Sequence, residues 1–190
     1  MCIVVRVRTR AVALAAVGAI CLLGGSATAA VAAANPGPAL QQHKAVALRP
    51  LERSLLTSIN AYRVQNGLAV LRLSAQLSDA ARQHSDEMAA DGYFDHPSAN
   101  GTSFWQRIQR YYASSSRSYW SVGENLLWSS DTISAGRALR LWIASPEHKK
   151  NLLDASWREL GVSAVHVVHA PGTYHGLTVT IVTTDFGVRG

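Results

Sequence analysis

Residues 160–186, LGVSAVHVVHAPGTYHGLTVTIVTTDF, decide the fold. Leu160 to His169 alternates, with Val162, Ala164 and Val168 on one side and Val165 and Val167 on the other. That is the two-residue period of a strand. Pro171-Gly172 supplies a turn, and Tyr174 to Phe186 returns, rich in Thr, Val and Ile as strand propensity favours. The chain therefore ends in a β-hairpin, and Tyr119 to Trp128 is a further strand candidate.

Upstream of the hairpin the period changes to that of helices. Leu55, Ile59 and Tyr62 form a first stripe, with Gly67 as its stop. After a short link, Val70 to Leu73, Ser74 caps a second helix whose stripe is Leu77, Ala81, His84 and Met88, ending before Gly92. Ser103-x-x-Gln106 is a capping box for a third, with Phe104, Ile108 and Tyr111 buried. Asp131 or Ser130 is expected to cap a fourth, with Ala135, Leu139, Trp142 and Ile143 inward. Helices early and a hairpin late predict an α+β layered sandwich.

The chain opens with Arg6, Arg8 and Arg10 and no acidic residue, followed by the apolar run Ala11 to Leu23 and two A-x-A patterns, Ala27-Thr28-Ala29 and Ala32-Ala33-Ala34. Residues 1–34 read as a secretory signal peptide cleaved after Ala29 or Ala34, because a membrane span needs about 20 apolar residues and this run is shorter. Residues 35–50 read as a flexible linker with Pro36, Pro38 and Pro50, and 51–190 as one domain. Both cysteines, Cys2 and Cys21, lie in the signal, so the exported chain has no thiol or disulfide and relies on its core. The formal charge of +6 falls to +3 once the three arginines leave. Basic residues are scattered, with Lys149-Lys150 the one adjacent pair, and this is not the patch of a nucleic-acid binder.

Four stretches carry chemistry: Tyr93-Phe94-Asp95-His96-Pro97, Gly123-Glu124-Asn125, Ser145-Pro146-Glu147-His148 and Thr183-Thr184-Asp185-Phe186-Gly187. With Ser145 as N-cap and Pro146 first in a helix, His148 takes the third position. The positive end of the macrodipole there favours a neutral imidazole, the form that binds a metal or accepts a proton. Glu124 inside an apolar strand is costly unless paired, and a nearby His is a suitable partner. Spacing alone does not bring His96, Glu124 and His148 together.

The ordered series Ile59-Asn60-x-x-Arg63-x-x-x-Gly67, Leu77-x-x-Ala80-x-x-x-His84-x-x-x-Met88, Phe94-x-His96, Gly123-Glu124-Asn125, Trp142-x-x-Ser145-Pro146-x-His148-x-x-Asn151-Leu152-Leu153, Gly161-Val162 and Thr183-x-x-Phe186-Gly187 resembles the CAP superfamily. These are the SCP-like extracellular proteins of cysteine-rich secretory, antigen 5 and pathogenesis-related type, here in bacterial form. The resemblance implies a three-layer α–β–α sandwich with a cleft where two His and two Glu can hold a divalent cation, often zinc. His96, Glu124 and His148 match three of the four. Animal and plant members carry the remaining Glu three residues after the helix-four Trp, where this chain has Ser145. Glu147 is the substitute close in sequence.

Other polar residues have plainer readings. His84 lies on a helical stripe and reads as a satisfied core histidine, while His166, His169 and His175 read as exposed residues of the hairpin. Asn60 and Arg63 are expected to bond the backbone of neighbouring loops. Trp105 and Trp120, in the most polar surroundings, are candidates for a binding rim. No HExxH and no G-x-S-x-G is present. The leading functional expectation is a secreted, non-enzymatic binding module for a lipid or another envelope or host ligand. The alternatives are a zinc-dependent extracellular hydrolase or peptidase, and a structural envelope protein whose His/Glu cluster stabilises the cleft.

Overall fold

The computed structural model describes residues 7–9, 49–113 and 119–190; the expected cleavage sites and most of the expected linker lie outside them. The elements run β1 (Val7–Thr9), α1 (Pro50–Gln65), β2 (Arg72–Leu73), α2 (Ala75–Asp91), α3 (Phe104–Tyr111), β3 (Trp120–Ser130), α4 (Ala135–Ala144), α5 (Pro146–Leu152), β4 (Glu159–Val167), a 3-10 turn (Gly172–Tyr174) and β5 (Val179–Arg189). The sheet order is β1-β3-β5-β4-β2, antiparallel except for the β2–β4 pair. Because strand side chains alternate, the sheet offers two apolar faces. Leu77, Ala80, Phe104 and Ile108 of α2 and α3 pack with Trp120 and Val122 on one. Leu55, Ile59 and Trp142 of α1 and α4, with Leu152 of α5, pack with Val162, Val182 and Phe186 on the other. The result is the three-layer α–β–α sandwich.

Local chemistry sets the helix ends. Pro50 begins α1 at a position where its missing N–H costs nothing, and Glu52 Oε2 accepts the Arg49 N–H at 2.8 Å. Arg49 and Pro50, at the end of the stretch expected to be linker, are the N-cap and first residue of α1. Ser74 caps α2 through the Leu77 N–H, and Gly92, at φ 70°, ends it in the left-handed conformation that glycine tolerates. The capping box at Ser103 and Gln106 is formed. Asn60 exchanges two hydrogen bonds with the backbone of Leu71, and Arg63 donates to the carbonyls of Ala69, Leu152 and Asp154. Both therefore tie loops to α1, as expected.

Several expectations are corrected. On α3 the buried face is Phe104, Ile108 and Tyr112, while Tyr111 is exposed: an i, i+4, i+8 ladder replaces the i+7 choice. Ser134, not Ser130 or Asp131, caps α4 through the Arg137 N–H. Ser130 still belongs to β3, and Asp131 is a left-handed turn residue. Ser145 stands at the N-cap of α5, but its side chain makes no capping bond. Val168 lies outside β4 and is exposed, and Tyr174 is the buried residue of the 3-10 turn rather than part of the returning strand. The 70–73 link contains the two residues of β2.

Candidate functional site

The site grows from Glu124, in the middle of β3 on the face covered by α2 and α3. Gly92 ends α2 against the hairpin loop, its carbonyl accepting the Thr173 N–H at 2.7 Å, and sends residues 93–98 back across the sheet. Asp95 Oδ1 accepts the His96 N–H at 2.7 Å. Arg107, on the buried face of α3, donates to the His96 carbonyl at 3.0 Å and to Ser98 Oγ at 3.2 Å. The loop so held places His96 Nδ1 2.7 Å from Glu124 Oε1, while Arg107 Nη2 donates to Glu124 Oε2. All three residues are buried, Arg107 and Glu124 at 0% and 1% exposure and His96 at 6%. Both Glu124 oxygens are thus engaged.

Burial pushes the Glu124 carboxyl up, but the charges of Arg107, His84 and His96 outweigh it and bring it down to about 2. Glu124 is the ionised centre of the cluster. Directly across the ladder stands Asp185 of β5, fully buried. Among the described residues no donor is in hydrogen-bond reach of either of its oxygens. Burial, then the adjacent Glu124 charge, raise its carboxyl well above the ordinary value, which favours the protonated form, able to donate toward Glu124.

The two carboxyls respond to pH in opposite directions. Glu124, depressed below its ordinary 4.5, stabilises the fold fully above that pH and loses its contribution as pH falls toward about 2. Asp185, raised above 3.8, favours the fold fully below 3.8 and loses that contribution as pH rises through its folded value. Asp185→Asn, a neutral mimic, should therefore match the wild type in urea denaturation below pH 3.8 and become relatively more stable as pH rises to 7. A stability difference that does not vary with pH would contradict the neutral assignment.

His84 accompanies the cluster as a structural residue. Its Nε2 lies 2.9 Å from the Asp95 carbonyl, to which it donates, and burial lowers its pKa. His148 is different. Asn125 Nδ2 donates to its backbone carbonyl at 3.2 Å and Asn151 Nδ2 to Asn125 Oδ1 at 3.0 Å, tying α5 to the strand residue after Glu124. His148 is 7% exposed, yet among the described residues neither ring nitrogen has a hydrogen-bond partner.

The structure thus brings His96 and Glu124 into contact and anchors His148 by its backbone to Asn125. Glu147 is exposed in the first turn of α5 and does not replace the carboxylate missing at Ser145. Trp120 is 1% exposed and donates its indole N–H to the Tyr112 carbonyl at 2.7 Å, so it is a core residue and not a rim. Trp105 is half-buried against the same cluster. Arg107 was not among the expected site residues, and Asp185 lay in one of the four stretches singled out without an assigned role. Arg107 left a signal, a cation on the same helical face as Phe104 and Ile108. Among the described residues no three His, Cys, Asp or Glu side chains are grouped so as to hold a metal ion.

Comparison with known proteins agrees with this architecture. Residues 56–183 match the cysteine-rich secretory protein (CAP) family, and the chain belongs to it. It is 30% identical over 114 residues to the uncharacterized protein YkwD of Bacillus subtilis, covering 60% of this chain and 42% of that one. It is 29% identical over 111 residues to the uncharacterized membrane protein YlbC of the same organism, covering 58% and 30%. The chain thus spans less than half the length of these relatives. Among solved structures, an SCP-domain extracellular protein of Bacillus anthracis superposes with a TM-score of 0.54 at 25% identity, over 75% of this chain and 44% of that one. An outer surface protein of Borrelia burgdorferi has the same fold, with a TM-score of 0.54 at 21% identity over 73% and 92% of the two chains. CAP proteins are typically extracellular. Among the described residues no helix is long and apolar enough to cross a membrane.

Proposed function

We propose that the protein is a secreted, non-enzymatic binding module. The observation that carries this reading is the engagement of Glu124: one oxygen accepts from His96 and the other from Arg107, so the carboxylate holds this buried cluster together. Glu147, the alternative base, is exposed, and burial favours the protonated form of Asp185. A catalytic zinc takes three protein ligands as a rule, and this donor set falls short of that. A divalent cation fits as a weakly held ligand of His96 and His148. Glu124 would then fix the His96 ring through Nδ1, as carboxylates do behind metal-binding imidazoles.

An apolar ligand is supported by a second feature, a cavity of 360 Å³ where α1 begins, lined by Leu51, Ile133, Ala164 and Val165 with Arg49 and His166 among its polar groups. Its size and lining suit one acyl chain, with Arg49 for an anionic head. The purified mature protein should release lipid on solvent extraction, detected by mass spectrometry, and should bind a fluorescent fatty acid. Ile133→Trp, which fills the cavity, should weaken that binding about tenfold or more. No extractable lipid together with unchanged binding in the variant would remove the lipid reading.

A further inference from the structure

β1 lies within the segment expected to be cleaved as a signal, and its loss changes the outer edge of the sheet. It pairs antiparallel with β3, Val7 opposite Val122, Arg8 opposite Ser121 and Thr9 opposite Trp120. In such ladders a strand turns its N–H and C=O toward a given neighbour at every second residue. Gly190 N donates to the Tyr119 carbonyl at 3.1 Å, and Thr184 Oγ1 to the Asn125 carbonyl at 3.4 Å. Odd-numbered residues of β3 therefore face β5, and even-numbered ones face outward. Leu126 agrees: its carbonyl accepts the Trp142 indole N–H at 3.0 Å instead of a strand.

The outward backbone of Trp120, Val122 and Glu124 is thus a short edge, stopped at one end by Trp142. Removing residues 1–34 strips the β1 partner from four of its groups, the N–H and C=O of Trp120 and of Val122. With β1 gone, these four backbone groups must find water or another strand as partner. The stretch from Trp120 to Trp128 has neither the Lys nor the Pro that commonly guards an edge.

We infer that the mature protein binds an extended polypeptide segment here, added as a strand antiparallel to Trp120–Val122 in the place of β1. β1 itself argues for this occupant: a peptide backbone seats on the edge in a defined register, which a lipid or sugar cannot reproduce. Glu124 lies two residues further along the same edge, so a longer peptide runs beside the His96–Glu124–Arg107 cluster. The inference rests on signal removal and is independent of the cation and lipid readings.

The test uses the mature chain beginning at Asn35 and a fluorescein-labelled peptide with the sequence of residues 4–11, VVRVRTRA. In the observed register the N–H groups of Val7 and Thr9 point at β3 and that of Arg8 points away. Fluorescence anisotropy should show saturable binding, weakened about tenfold or more by N-methylation at Val7 and Thr9 and unaffected by N-methylation at Arg8. The amides of Trp120 and Val122 should exchange more slowly with peptide present. Absence of saturable binding, equal behaviour of the two methylated peptides, or unchanged exchange at both amides overturns the inference. A mature chain that dimerises and is not dissociated by the peptide overturns it in favour of a second copy at the edge.

Discussion

Glu124→Ala should cost about 3–5 kcal/mol of folding stability, one of the two largest losses expected of any single substitution in this protein. The truncation leaves Arg107, with no exposure to solvent, without its counter-charge, and deprives His96 Nδ1 of its partner. Much of the cost comes from the stranded cation, so it depends on Arg107 still being present. Arg107→Met alone should also be severe, because it strands the carboxylate and frees the 93–98 loop that Arg107 holds at His96 and Ser98. The double variant Glu124→Leu/Arg107→Met removes both charges and should lose clearly less than the sum of the two single losses. Urea denaturation of the four proteins decides it: additive losses would mean that the pair does not act as a unit.

Gly161→Ala should be comparably damaging for a steric reason, by about 3 kcal/mol or more. A Cβ on Gly161 would stand 2.1 Å from the Leu77 carbonyl carbon and 2.4 Å from its oxygen. The obstructing atoms are backbone of the first turn of α2, so no side-chain rotation relieves them, and α2 must lift from the sheet. That helix carries Leu77, Ala80 and His84 and leads into the loop bearing His96. Gly136→Ala is the control: an added Cβ meets only the end of the Arg140 side chain at 3.6 Å, and the exposed helical site should tolerate or favour it. Thermal melts of the two variants should separate widely, and equal melts would contradict the close packing of α2 on β4.

The fold was legible because its signals are local. Alternation in 160–186, Ser74 and Gly92 at the ends of α2 and the Ser103–Gln106 box each act within a few residues, and each stands where its chemistry requires. The errors fell where two local rules compete. Ser130, Asp131 and Ser134 are all good caps, and the length of β3 decided among them. Tyr111 and Tyr112 are equally apolar, and the Trp120 indole donating to the Tyr112 carbonyl is a contact of the folded chain that periodicity cannot reveal.

The candidate site was half legible. Glu124 in an apolar strand announced a need for partners, and His96 supplied one of them. Arg107 was readable in principle as a cation on a buried helical face. Asp185 was not, because its importance arises from the register that sets it opposite Glu124, a relation between strands 61 residues apart in sequence numbering by subtraction of the two positions. Glu147 is exposed while His148, next to it in sequence, is buried, because neighbouring residues of a helix point in different directions.

The central proposal is that Glu124 holds His96 and balances Arg107, with His96 and His148 as the side chains that would meet a cation. Calorimetric titration of zinc into the mature chain, beside a His96→Ala/His148→Ala variant confirmed to be folded, tests it most directly. The account predicts saturable binding of modest affinity that is lost in the variant. No binding by the wild type, or the same binding by the variant, would contradict it.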